Sequence, residues 1–292
     1  MKTLPGSRPF PIPVVALGPG SQEDDGALDY PVLPRGMDTY HPPSLPEAAE
    51  LARHGGAMRV LRMTLDALDT AANGAVPAPV LLDGLAQEDL ALIHQVLGEG
   101  EVSAQVLPAA GGDGVWIQES VFAGVWRMVE TRADGSTRDT IEVGRIPAIL
   151  RTVAMEDAAA VRPVAPPPPA TVLHAPALLA ELSDQRRLWR PGRPEHVMNL
   201  TLLPLSRDDI GYLDLCLGTG RVLILSRGYG NCRITSAAVA NTWRVVYYNS
   251  QDAVILNTVE VGDLPEVACA APEDLADSRE RFAEVLQWVE QA

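Results

Sequence analysis

Few residues of this 292-residue chain stand where chemistry would need them. The strongest is Cys232, in the segment Gly228-Tyr229-Gly230-Asn231-Cys232-Arg233-Ile234. A glycine-rich turn leads into it and Arg233 follows it, and a guanidinium beside a thiol favours the thiolate, the form that attacks or binds metal. Read without function, the same cysteine is a small hydrophobe at the start of a buried strand. A single thiolate does not hold a structural metal, so a metal or redox role would draw further ligands from a partner chain. Tyr229, Asn231 and Arg233 flank Cys232 as candidates for partner contact. Of the other thiols, Cys216 reads as core and Cys269 has no assigned role.

The remaining candidates come in matched pairs. Trp126-Arg127 and Trp243-Arg244 recur on corresponding strands. Their recurrence favours architecture, with Trp in the core and Arg pairing at an edge; the rival reading makes them interface anchors, since both types are enriched at binding hot spots. Glu88-Asp89 and Asp208-Asp209 each open a helix, where carboxylates meet unpaired N–H groups. The five histidines (His41, His54, His94, His174 and His196) form no pair at metal spacing. There is no GxSxG, P-loop, HExxH or CxxC. No catalytic residue, metal ligand or cofactor is expected.

The elements that position these residues are duplicated. The run from Leu85 to Gly100 returns 120 residues later as Leu205 to Gly220, and Ile141-Glu142-Val143-Gly144 returns as Val259-Glu260-Val261-Gly262. Such a period exceeds that of solenoid or propeller repeats and points to two copies of one small fold. Each copy reads as a helix ending at Gly-x-Gly, followed by an antiparallel meander of about four strands. The strands of copy one are Val102 to Leu107, Val115 to Phe122, Val125 to Thr131 and Thr140 to Val143. Those of copy two are Val222 to Leu225, Cys232 to Val239, Trp243 to Asn249 and Val254 to Val261. Val115 matches Cys232, so the repeated fold does not demand a cysteine there.

The fold class is therefore α+β, with two tandem repeats related by a pseudo-twofold. They join by neighbouring edge strands or stack face to face. Residues 1–43 form a Pro/Gly-rich arm. Residues 44–76 form an amphipathic helical segment, opened by a capping box at Ser44 and weakened at Gly55-Gly56. Repeat one spans 77–150. Residues 151–196 are a linker with a polyproline spacer and a short helix from Pro176, repeat two spans 197–271, and 272–292 form a C-terminal helix.

Composition narrows the partners. With 47% apolar residues the chain buries a real core, and a net charge of −15 argues against nucleic acid and favours a basic partner. No stretch reaches the length of a membrane span, and three cysteines fit a reducing compartment, so a cytoplasmic location without membrane insertion is expected.

The segments Ile117 to Arg127, Tyr229 to Ile234, Asn241-Thr242-Trp243-Arg244-Val245, Tyr248-Asn249-Ser250 and Leu264 to Ala271 resemble the hydrogenase expression/formation proteins of the HupH, HyaF and HoxQ type. The resemblance spans about residues 80 to 290. It implies an accessory protein, not an enzyme: a chaperone or scaffold for maturing an uptake [NiFe] hydrogenase. On that resemblance it binds the immature iron–sulfur small subunit, and its signal peptide, before twin-arginine export, with a second accessory maturation protein as a further partner. The alternatives are an iron–sulfur or metal carrier using Cys232 with partner ligands, and an enzyme acting on a cofactor precursor.

Overall fold

Edge-to-edge pairing of the two copies makes one open sheet of ten strands. In the computed structural model, which describes residues 53–109, 112–228 and 230–290, the strand order is β1-β5-β4-β3-β2-β7-β8-β9-β10-β6. Copy one supplies β1 (Val80–Leu81), β2 (Val102–Val106), β3 (Gly114–Glu119), β4 (Val125–Thr131) and β5 (Thr137–Val143). Copy two supplies β6 (His196–Asn199), β7 (Val222–Ser226), β8 (Asn231–Ser236), β9 (Thr242–Tyr248) and β10 (Val254–Val261). The meanders β2–β5 and β7–β10 are the expected repeats. The arm of residues 1–43, the Ser44 capping box and Tyr229 lie outside the described residues.

The join is antiparallel and self-complementary. Ala104 faces Ile224, its own counterpart 120 residues on, while Val102 pairs with Ser226 and Val106 with Val222. A pseudo-twofold axis therefore passes between Ala104 and Ile224, perpendicular to the sheet. The pairing hides two internal edges that would otherwise template association.

Among the described residues six helices cover the sheet: α1 (Gly55–Ala72), α2 (Gln87–Leu97), α3 (Ala148–Ala159), α4 (Ala175–Leu188), α5 (Arg207–Leu217) and α6 (Pro272–Glu290). The short outer strands β1 and β6 and the helix α3 carry no clear sequence pattern. Two-residue β1 is too brief to alternate, and α3 has no side-chain cap at its N-terminus. Strands β3 and β8 also end earlier than expected. The Ser120 hydroxyl takes the Phe122 N–H at 3.1 Å, and Asn241 adopts a φ of 51°, turning each chain before the apolar run is finished.

Local chemistry sets the helix ends. Ser206 and Asp209 form a reciprocal capping box on α5, and Gly98 (φ 57°) and Gly218 (φ 64°) occupy the left-handed C-caps of α2 and α5. The expected weakness at Gly55-Gly56 is where α1 begins. A Cβ on Gly56 would fall 2.1 Å from Asp89 Oδ2, so glycine lets α1 approach α2.

The second carboxylate of each expected pair clamps two helices together. Asp89 accepts the Ala57 N–H of α1 at 3.2 Å. Its counterpart Asp209 is 1% exposed and does far more: Oδ1 accepts the amides of Leu173 (2.9 Å), His174 (2.7 Å) and Ala175 (3.0 Å), and Oδ2 accepts the Ser206 N–H and hydroxyl. Burial alone would raise its pKa, but these donors outweigh burial and hold it well below the usual carboxylate range. Its stabilisation is present above the unfolded pKa and is lost only as pH falls far below it. Asp209→Ala is expected to cost about 3 kcal/mol or more in urea unfolding, with loss of amide protection at His174 and Ala175, whereas Asp89→Ala costs about 1 kcal/mol.

Candidate functional site

Strand alternation divides the candidate residues between two faces of the sheet. Cys232, Trp126 and Trp243 point to one face, into a cluster with Ile117, Ile224 and Ile234 that α3 and the short turn Glu266–Ala268 cover. Both indoles are satisfied inside the protein: Trp126 Nε1 donates to the Gly144 carbonyl and Trp243 Nε1 to that of Asp263, each at 2.9 Å. Cys232 is 3% exposed, and burial pushes its thiol up to about 11. This corrects the expectation of an activated thiolate. Arg233, the neighbour meant to activate it, points to the opposite face because adjacent strand residues always do. Cys269 is pushed up to about 12, again by burial. Among the described residues no group of three His, Cys, Asp or Glu could hold a metal ion.

Arg127, Arg244, Arg233 and Asn231 lie on the other face. Arg127 grips Asp139 of β5, with Nη2 at 2.7 Å, and His94 of α2 stands 3.6 Å from the same carboxylate. Burial works against the Asp139 anion, yet His94 and Arg127 prevail and its pKa is lowered. In copy two, Arg244 is 3% exposed and its partner is Asp214 of α5 at 3.6 Å. The pattern is a swap. His94, Asp139 and Arg127 correspond in the repeat to Asp214, Asn257 and Arg244, so the acid has moved from strand to helix while the arginine stayed. In copy two the arginine ties a helix to the sheet; in copy one it joins two strands, and His94 brings the helix to the same carboxylate.

These helices leave the middle of their face open. Ile141 and Val143 pack under α1 and α2, and Val259 and Val261 under α4 and α5, all on the arginine face of the outer strands. Between the two helix pairs lie β3, β2, β7 and β8. At an inter-strand spacing of about 4.8 Å they form a floor roughly 19 Å wide. Ser103, Gln105, Leu223, Leu225 and Arg233 stand on it half-buried, and Trp116 is 40% exposed. The Arg233 guanidinium lies 5.8 Å from the Tyr248 ring centroid. Trp116 and Arg233 occupy corresponding positions, one in each half. Sequence reasoning singled out Arg233 but not Trp116, Leu223 or Leu225, whose only mark was their alternation with core positions.

Two family matches fall on the two halves. The family described as HupH hydrogenase expression protein, C-terminal conserved region, matches residues 56–164 and again 172–289. The chain belongs to this family. It is 56% identical over 280 residues to the hydrogenase expression/formation protein HoxQ of Cupriavidus necator, covering 96% of this chain and 98% of that one. It is 44% identical to HupH of Rhodobacter capsulatus (96% and 98% covered) and 31% identical to the hydrogenase-1 operon protein HyaF of Escherichia coli (94% and 96% covered). A solved HupH structure from Thiobacillus denitrificans is similar at 24% identity and a TM-score of 0.37, covering 39% of this chain and 95% of that one. Membership of the HupH family makes this chain a non-catalytic accessory protein of hydrogenase maturation.

Three carboxyls, buried Glu119 and half-buried Glu195 and Asp214, have pKa values raised toward neutrality. Burial raises Glu119 to about 7, against the opposing hydrogen bond from Gly124 N–H; Glu195 reaches about 7 through burial and the nearby Glu260 and Glu266; Asp214 reaches about 6 through burial, opposed by Arg244. Each binds its proton more tightly folded than unfolded, so the stability it contributes is fully present below about pH 4.5 and is lost as pH rises through its folded pKa. The melting temperature is expected to be higher at pH 5.5 than at pH 8, and Glu119→Gln is expected to recover part of the loss at pH 8, roughly 5 °C by scanning calorimetry. A second check is chemical. Cys232 in the native protein is expected to resist iodoacetamide at pH 8 and to react fully in urea.

Proposed function

We propose that this chain is a cytoplasmic chaperone or scaffold that binds the immature iron–sulfur small subunit of an uptake [NiFe] hydrogenase before its twin-arginine export. The observation that carries the reading is the family match in both halves, together with near full-length similarity to proteins named for hydrogenase expression and formation. A duplicated family region suits a composite contact surface better than a single catalytic pocket.

The physical chemistry supports the same reading. At a net charge of −15 the protein attracts a segment bearing paired arginines. The open face of β3, β2, β7 and β8 offers Trp116 and Arg233, residue types that dominate interface energetics, beside Leu223 and Leu225. Asn231 and Arg233 are the partner-contact candidates on that face, and Tyr229 precedes them in the chain. Arg244 acts by holding its flanking helix in place, and Arg127 by fixing the Asp139 carboxylate that His94 of the other inner helix meets. No membrane-spanning role is part of this reading: no described helix is long and apolar enough to cross a membrane. The carrier alternative is disfavoured because burial keeps Cys232 and Cys269 protonated, which opposes metal ligation.

The test is affinity purification of the tagged full chain from hydrogenase-expressing cells, with mass spectrometry and an iron assay of the eluate. The expected result is the small-subunit precursor with its signal peptide uncleaved, no iron on the isolated chain, and weaker recovery as salt rises from about 0.05 M to about 0.5 M. Iron-bearing protein without that precursor would overturn the reading. Arg233→Ala together with Trp116→Ala is expected to reduce recovery roughly tenfold without unfolding the protein, because neither side chain belongs to a buried cluster.

A further inference from the structure

The Pro-rich stretch between the halves is held down more firmly than a spacer requires. Arg162 donates from Nη1 to the carbonyls of Leu217 (2.9 Å) and Ala238 (3.1 Å), where α5 ends. Tyr212, in the middle of α5, donates its hydroxyl to the Pro166 carbonyl at 2.9 Å. At the start of α5, Asp209 takes the amides of Leu173, His174 and Ala175. Later residues of the strap thus meet earlier residues of the helix, so residues 162–175 run antiparallel to α5 and are fixed at both ends and the middle.

Between those anchors most side chains face outward; Val172 turns in, to the core cluster under α4 and α5. Pro166, Pro167, Pro168 and Pro169 are all exposed. Four consecutive prolines hold φ near −65° and push each preceding residue into extended backbone, giving a left-handed polyproline II ridge about 12 Å long. Val164 is 94% exposed and Leu173 is 73% exposed, although the apolar surface of α5 lies alongside. From Pro163 to Leu173 the strap carries no charged side chain, in a chain of net charge −15. Exposed apolar side chains on a pinned, uncharged backbone are not explained by solubility or by the need to connect two halves.

We propose that this strap is a preformed docking ridge for a partner protein that presents an aromatic-lined groove. Polyproline II ridges are read by such grooves because their ordering entropy is already spent and their side chains pack against flat rings. Here the anchors to α5 remove the residual freedom of the flanks as well. Recognition is apolar, and it is insensitive to salt. It therefore differs from the electrostatic contact proposed for the sheet face and does not depend on that reading.

The experiment is site-specific photocrosslinking on the full chain in hydrogenase-expressing cells, with p-benzoylphenylalanine placed at Val164 or at exposed Ala170, which flank the prolines. Val76, 95% exposed and far from the strap in sequence, serves as the control position. The expected result is one and the same protein captured from positions 164 and 170 but not from 76, with Trp, Tyr or Phe in the crosslinked peptide and a yield unchanged by salt. Replacing Pro167→Ser and Pro168→Ser together is expected to cut the yield from position 164 roughly tenfold, with the melting temperature held within about 2 °C because both side chains are exposed. Capture no stronger than at Val76, a yield that survives the double substitution, or an adduct peptide without aromatics would overturn the ridge. Because the adduct is identified by its own mass, absence of the small-subunit precursor from it leaves the ridge standing, and absence of any adduct leaves the maturation reading standing.

Discussion

Pairing between β2 and β7 is the constraint on which the rest of the molecule depends. Each half alone would expose that strand as a bare edge, with its N–H and C=O groups unpaired. Joining the two edges antiparallel about Ala104 and Ile224 satisfies both at once. It also aligns the core-facing residues of both halves, because the pairs Val102–Ser226, Ala104–Ile224 and Val106–Val222 put the same parity on the same side. A one-residue slip of β2 along β7 would send Ala104 and Val106 to the open face and bring Ser103 and Gln105 to the core side beside Ile224 and Val222. The register is thus enforced by burial on one side, and the open character of the other side follows from it.

That parity also separates structure from function. Trp126, Cys232 and Trp243 share the covered face; Arg127, Arg233 and Arg244 share the face that the helix pairs flank. Neighbours in sequence became opposites in space. An interpretation built on adjacency, such as a thiol activated by the next arginine, fails for this reason alone, and burial of the thiol then drives its pKa the wrong way for reactivity.

Much of the fold was legible because it was written twice. The helices before each Gly-x-Gly, the eight strands of the meanders and the C-terminal helix all carry periodicity or turn chemistry that a single sequence displays. What stayed hidden has physical causes. Strand β1 is two residues long, and α3 opens at Pro147 without a side-chain cap. The choice between edge pairing and face stacking was open because both bury comparable apolar surface. At the site, Arg233 was visible from its setting, whereas Trp116 and Leu223 were not, since half-exposed strand residues of either chemistry satisfy the same alternating pattern. The clamp at Asp209 was half visible: its recurrence with Asp89 marked a helix start, but the three amides it gathers come from a segment 35 residues away and leave no local trace.

Where the halves differ, the differences preserve one job by other means. In the first half His94 of the inner helix meets a strand acid, Asp139, that Arg127 also holds; in the second half the strand arginine Arg244 meets a helix acid, Asp214, and each arrangement anchors the inner helix to its sheet. Asp89 takes one amide from α1 while Asp209 takes three leading into α4. The second half is therefore locked by a buried carboxylate and by the strap along α5, and the first is covered instead by α6, whose Phe282 stacks edge-on to Phe122 at 4.8 Å between centroids. Symmetry ends at the sheet. A symmetric floor with unlike walls cannot accept a partner in two equivalent orientations, because the wall contacts made in one are missing in the other. Duplication in this family thus yields a surface twice the width of one repeat while keeping the orientation of what it binds unique.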